Sequence, residues 1–102
     1  MEKASLEELE EYSEEHPVAK LIFDSEAARV VLFCLNAGQE VPVHVSTSEV
    51  IMLVVKGKGS LIAGDQEVEA GPGTMVACAR EEPHGMRAEE KMLILATIAP
   101  RP

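Results

Sequence analysis

The hydrophobic pattern of this chain changes period at Pro17. Before it, Leu6, Leu9 and Tyr12 form a narrow apolar stripe at helical spacing. Ser5, with Glu8 three positions on, is a capping-box pair in front of that stripe. Together they predict a short helix over residues 5–15. His16-Pro17 ends it, because the residue before proline is pushed out of the α region. His16 therefore reads as a helix-terminus histidine near the end of the dipole. After Pro17 the apolar residues come in short runs, at 18–23, 28–35, 41–45, 50–55, 60–63, 67–69, 74–78, 85–88 and 92–98. Turn signals separate them: Asp24-Ser25-Glu26, Asn36-Ala37-Gly38, Lys56-Gly57-Lys58-Gly59, Ala63-Gly64-Asp65-Gln66 and Gly71-Pro72-Gly73. Short strands with turns about every 8–12 residues indicate an all-β sandwich or barrel. The organisation expected is an N-terminal helical extension, 1–17, followed by one barrel, 18–102.

Two of the runs break simple alternation. Residues 50–55 and 92–98 are apolar on both faces. A strand of an antiparallel barrel ordinarily keeps one wet face. Two dry faces need a cover outside the barrel, either the N-terminal helix or a second copy of the chain. A homodimer that buries the outer face of at least one of these strands is expected.

Composition narrows the function classes. With 102 residues and a hydrophobic fraction of 46%, the chain is one globular domain able to bury a modest core. Its only aromatic residues are Tyr12, Phe23 and Phe33, so aliphatic side chains and methionine must fill that core. The net charge of −9 argues against nucleic acid or an anionic membrane as partner, since both require a cationic surface. Cys34 and Cys78 lie in apolar runs and read as reduced, buried thiols. No segment reaches the ~18 apolar residues of a membrane span, and the acidic N-terminus lacks a signal-peptide pattern. A cytoplasmic location is the expectation.

The candidate chemistry lies in His44 and His84, each beside or near a proline in strand-and-turn sequence. The run Gly38-x5-His44, then 50–56, then Gly57-Lys58-Gly59 resembles the first sequence motif of the cupins. Pro72-Gly73 followed by Pro83-His84 resembles the second. The resemblance covers roughly residues 18–98. The preceding helix and the closing Lys91-Met92-Leu93-Ile94-Leu95 look like those of small, stand-alone bacterial cupins. It implies an antiparallel jelly-roll β-barrel with a short N-terminal helix. It does not imply one activity, because this barrel hosts many chemistries.

The departures from the family pattern bear on the site. The resemblance implies a metal site of three histidines and a glutamate. His44 and His84 fill two of those positions, whereas Ser46 stands at the second histidine and Val50 at the glutamate. Ala79 and Glu81 replace a proline and a glycine before Pro83-His84. A catalytic metal generally needs three protein ligands. Glu49 is the candidate third, provided a bulge near Thr47-Ser48 turns it inward; in a regular strand it faces away from Val50. Glu40 lies about 13 Å along the strand from His44, too far to share an ion. Cys78 is a soft donor in the strand feeding His84. The histidines thus support three readings: a loosely held divalent metal ion (Zn, Ni, Mn or Fe), a metal-free pocket for a small polar ligand, or satisfied polar groups with no ligand. The pocket would be lined by Ser46, Val50, Met52, Met75, Cys78 and Met86 around the two imidazoles. A binding module is one outcome. An isomerase- or oxygenase-type enzyme acting on a small metabolite, metal-dependent or histidine-based, is the alternative.

Overall fold

The computed structural model describes residues 1–102. Nine strands follow a single helical turn: α1 (Leu6–Leu9), β1 (Val18–Asp24), β2 (Arg29–Leu35), β3 (Glu40–His44), β4 (Glu49–Lys56), β5 (Gly59–Ala63), β6 (Gln66–Ala70), β7 (Met75–Cys78), β8 (His84–Ala88) and β9 (Met92–Ala99). They form two antiparallel sheets with strand orders β1-β2-β9-β4-β7 and β3-β8-β5-β6. Each apolar run of the sequence corresponds to one of these strands.

The core lies between the sheets. β4 alternates buried and exposed from Glu49 to Val54, so Val50, Met52 and Val54 face inward. Its register with β9 and β7 brings Ile98, Ala96, Ile94, Cys78 and Val76 onto the same inner face. Leu61, Ala70, Met86 and Ala88 of the other sheet, with Leu35 and Met92, complete that cluster. Gly57 is one place where the chain demands glycine. Its φ is +83°, and a Cβ there would overlap the Lys91 carbonyl.

The outer face of the five-stranded sheet is covered on one side. Leu32, Cys34 and Leu93 are fully buried beneath Leu6, Leu9 and Tyr12. The predicted 5–15 helix is thus present as packing but not as helix. Only Leu6–Leu9 is helical, Ser5 makes no capping bond, and Glu10 is already extended in ψ. Isolated helices of this length are marginal, and here side chains from beyond the single turn dock the segment directly. Asn36 Nδ2 and Gln39 Nε2 both donate to the Ser13 carbonyl, at 3.0 and 2.7 Å. Lys56 Nζ and the Tyr12 hydroxyl each donate to the Glu10 carboxylate at 2.7 Å. Lys91 Nζ lies 4.4 Å above the Tyr12 ring.

The Lys56 bond, and after it the Tyr12 bond, hold the Glu10 carboxyl below its ordinary value. A depressed carboxyl stabilises the fold above its unfolded value, about pH 4.3, and that stabilisation disappears as pH falls through the lower folded value. Residues 6–13 are therefore expected to lose amide protection in acid before the sheets do. In Glu10→Gln that acid-dependent step should be absent, as hydrogen exchange between pH 7 and pH 3 can show.

Candidate functional site

The two histidines meet because β3 and β8 pair. His44 lies opposite His84 at the end of that ladder, and the ring centroids are 4.3 Å apart at 60°. A bulge makes this possible. Val41 pairs with Met86 and His44 with His84, so β3 takes three steps where β8 takes two. In a regular strand Val41 and His44 would face opposite sides. With one extra residue inserted they line the same cavity, a re-aiming typical of bulges. Proline suits the bulge because it has no N–H to leave unpaired there. Gly85 lies across from it, where a Cβ would come within 2.9 Å of the Val41 carbonyl and 3.2 Å of Val43 backbone.

Each ring is held through its Nδ1. His44 Nδ1 lies 2.9 Å from the Pro42 carbonyl, and His84 Nδ1 lies 3.1 Å from the Glu82 carbonyl. A carbonyl only accepts, so Nδ1 carries the hydrogen and Nε2 of the neutral ring keeps its lone pair. His84 is only 5% exposed. No fully occluded side-chain nitrogen or oxygen lacks a partner, so its unbonded Nε2 must reach solvent. His44 is exposed. The pair therefore presents two imidazole lone pairs, one at the wall of the cavity and one at its mouth.

The cavity itself is small, about 40 Å³, and is bounded by Phe33, Val41, Val50, Met52, Met86 and Ile98 among others. One water needs about 10–15 Å³ of such space, so the cavity suits an ion with a few waters or a very small molecule, and anything larger would rest at the mouth. A wider groove of about 570 Å³ lies elsewhere, between the N-terminal residues 1–4 and Ile22, Phe23 and Val30, away from both histidines.

The other residues singled out in the sequence divide. Val50, Met52 and Met86 line the cavity. Cys78 is buried in the adjoining core but does not line it, and burial, with Glu82 nearby, pushes its thiol up, away from the thiolate a metal needs. Ser46 is half-buried and accepts the Ser48 N–H at 3.0 Å. Met75 is 56% exposed, because its partner Leu53 faces outward from β4. Glu49 is exposed on that same outward face, directly before buried Val50, so the regular alternation of β4 keeps it from the histidines. The bulge occurs instead in β3, where it serves His44. Glu40 also faces out, paired with Arg87 at 3.1 Å. The sequence reading missed the Pro42 and Glu82 carbonyls. Their signal is proline two residues before His44 and immediately before His84.

Tested against a resident metal, the donors fall short of four. No group of three or more His, Cys, Asp or Glu side chains converges anywhere in the fold. The two imidazoles, each with an unbonded Nε2 in the neutral tautomer, are the residues that would hold a divalent ion there.

Two sheets enclosing paired histidines at one end define a protein of the double-stranded β-barrel class. The family model described as the cupin domain matches residues 31–98, and the chain belongs to that family. An RmlC-like cupin protein of Desulfovibrio desulfuricans is 34% identical, with a TM-score of 0.91 over 98% of this chain and 97% of that one. The TT1209 protein of Thermus thermophilus is 31% identical, with a TM-score of 0.95 over the whole of both chains. A salicylate 1,2-dioxygenase of Pseudoaminobacter salicylatoxidans shares the fold at 16% identity and a TM-score of 0.77, over 83% of this chain and 27% of its own. No curated protein matches the chain.

Proposed function

We propose that this cupin is a binding protein whose site is the His44–His84 pair and whose ligand is a divalent transition-metal ion, with water completing the coordination. The observation that carries the reading is the pair of Nδ1–carbonyl bonds, which leave two Nε2 lone pairs on rings 4.3 Å apart. A backbone carbonyl behind a ligating histidine is the usual way its tautomer is fixed. Imidazole suits Zn, Ni and Fe, and a carboxylate-poor set suits Mn less well. When bound, such an ion supplies Lewis acidity toward a carbonyl or toward water. The chain's own residues then have distinct tasks. His84 is rigidly set in the wall, His44 guards the mouth, and Val50, Met52 and Phe33 keep the floor dry. A second reading, a small polar organic ligand bound by the same nitrogens, is favoured by that apolar lining. Elemental analysis of untagged protein, followed by zinc titration, tests the first reading. Stoichiometric binding supports it. An inert response to zinc, combined with thermal stabilisation by small polar metabolites, replaces it with the second.

The site is carried by a chain we infer to be a homodimer. Ile51, Leu53 and Met75 leave an apolar patch 43, 36 and 56% exposed on the half of the outer sheet face that the N-terminal segment does not reach. No helix is long and apolar enough to cross a membrane. Light scattering at micromolar concentration should give twice the chain mass, and Leu53→Glu should give a monomer. A monomeric wild type excludes the dimer.

A further inference from the structure

Gly85 follows His84 directly and is the single residue of β8 that faces two residues of β3. The register pairs Val41 with Met86 and His44 with His84, and leaves Pro42 and Val43 without partners. The backbone conformation of Gly85 does not call for glycine, since its φ is not among the positive ones. Space calls for it. A Cβ would stand 2.9 Å from the Val41 carbonyl oxygen and 3.2 Å from both N and Cα of Val43. All three are main-chain atoms, so no side chain can swing aside to admit it.

The topology says which strand would yield. β8 is held on its other flank by β5, where Gly85 pairs with Ile62. β3 lies at the edge of its sheet, and β8 is its only neighbour there. A side chain at residue 85 therefore pushes β3 outward at its bulge. The bulge is what supplies the carbonyl of Pro42 to His44 Nδ1, at 2.9 Å. In a regular ladder the carbonyls point along the sheet toward the next strand, while the side chains stand perpendicular to it. A strand residue does not then reach the carbonyl two positions back. An inserted residue bends the strand and brings the two together. His84 gains the same contact from Glu82, which lies outside β8 and away from the bulge.

We propose that Gly85 is a positioning residue of the site. Its missing side chain admits the β3 bulge, and the bulge holds the His44 ring with its hydrogen on Nδ1 and its Nε2 lone pair free for a ligand. The inference rests on His44 and His84 being the site, and it holds for a metal ion and for a small polar molecule alike.

NMR of the imidazole nitrogens in alkaline buffer, where both rings are neutral, reads the tautomer directly and needs no metal. The proteins are wild type, Gly85→Ala, a deletion of Val43, and Gly71→Ala, the same change where a Cβ meets nothing within 4 Å. Wild type and Gly71→Ala should carry the hydrogen on Nδ1 of both rings. In Gly85→Ala, and in the deletion that makes β3 regular, His44 should lose that form while His84 keeps it. Zinc should bind both of these variants roughly 10–100-fold more weakly than wild type, as on losing an outer-shell partner. Gly85→Ala combined with the deletion should melt higher than Gly85→Ala alone, because the Cβ no longer meets the bulge, yet His44 should stay unlocked. A glycine needed only for folding would not separate stability from tautomer in this way. His44 still protonated on Nδ1 in folded Gly85→Ala or in the deletion overturns the role, and so does wild-type His44 with its hydrogen on Nε2. If Gly85→Ala does not fold, the deletion alone decides. A wild type that shows the expected tautomers but binds no zinc overturns the metal reading and leaves the role of Gly85 standing.

Discussion

Replacing Ile94 by alanine is expected to destabilise the protein by about 2–5 kcal/mol, the range for removing a large buried aliphatic side chain. Ile94 is completely buried in the principal core. It lies on β9, the middle strand of the five-stranded sheet, between Phe33 of β2 and Val54 of β4. The sheets on either side are fixed by ladders and cannot collapse far into the void, so the cavity term adds to the lost transfer energy. With a total stability on the order of 5–15 kcal/mol for such a domain, this is a large fraction of the whole. In urea the midpoint should fall while the slope m stays unchanged. Glu69→Ala on exposed β6 is the control and should change stability by no more than about 0.5 kcal/mol. Equal midpoints for the two variants would mean the core has been placed wrongly.

Ile94 also shows what is legible in the sequence. Its run, like the other eight, is bounded by turn residues whose chemistry is local, and so the strands can be read directly. Facing direction can be read wherever a strand is regular: Val50 inward and Glu49 outward follow from a period of two, and the structure keeps both. Direction is lost where the period breaks. Nothing in Glu40-Val41-Pro42-Val43-His44 announces an inserted residue, because a bulge is a property of the pair and not of one strand. The proline permits it without specifying it, and Gly85, forty-odd positions away, makes the room. The N-terminal segment differs for another reason. Leu6, Leu9 and Tyr12 have the spacing of a helical stripe, and they are indeed the residues that pack. Tertiary docking onto Leu32, Cys34 and Leu93 outweighs the weak propensity of so short a helix. The two dry faces also resolve separately. β9 is covered by this segment, whereas the outer face of β4 stays open beside Met75. For the site, the two imidazoles are visible in the sequence, but the carbonyls that set their tautomers depend on backbone geometry that no residue type encodes.

Those carbonyls make the two histidines separable by experiment. His44→Ala and His84→Ala should each reduce zinc affinity by more than the roughly 10–100-fold seen on losing an outer-shell partner, since each removes one of the two imidazole donors. Their effects on folding should differ. His44 is exposed, so its loss should alter stability by no more than about 0.5 kcal/mol. His84 is buried, and its loss strands the Glu82 carbonyl beside a new void, at about 1–3 kcal/mol. Wild type in zinc at a hundredfold excess over Kd should gain about 2.7 kcal/mol, a rise in Tm on the order of 10 °C for a domain of this size. His44→Ala should show no zinc-dependent rise while melting at the wild-type temperature without metal. That combination distinguishes a lost ligand from a damaged fold. A zinc response in His44→Ala as large as in wild type would instead place the ion somewhere other than between these two rings.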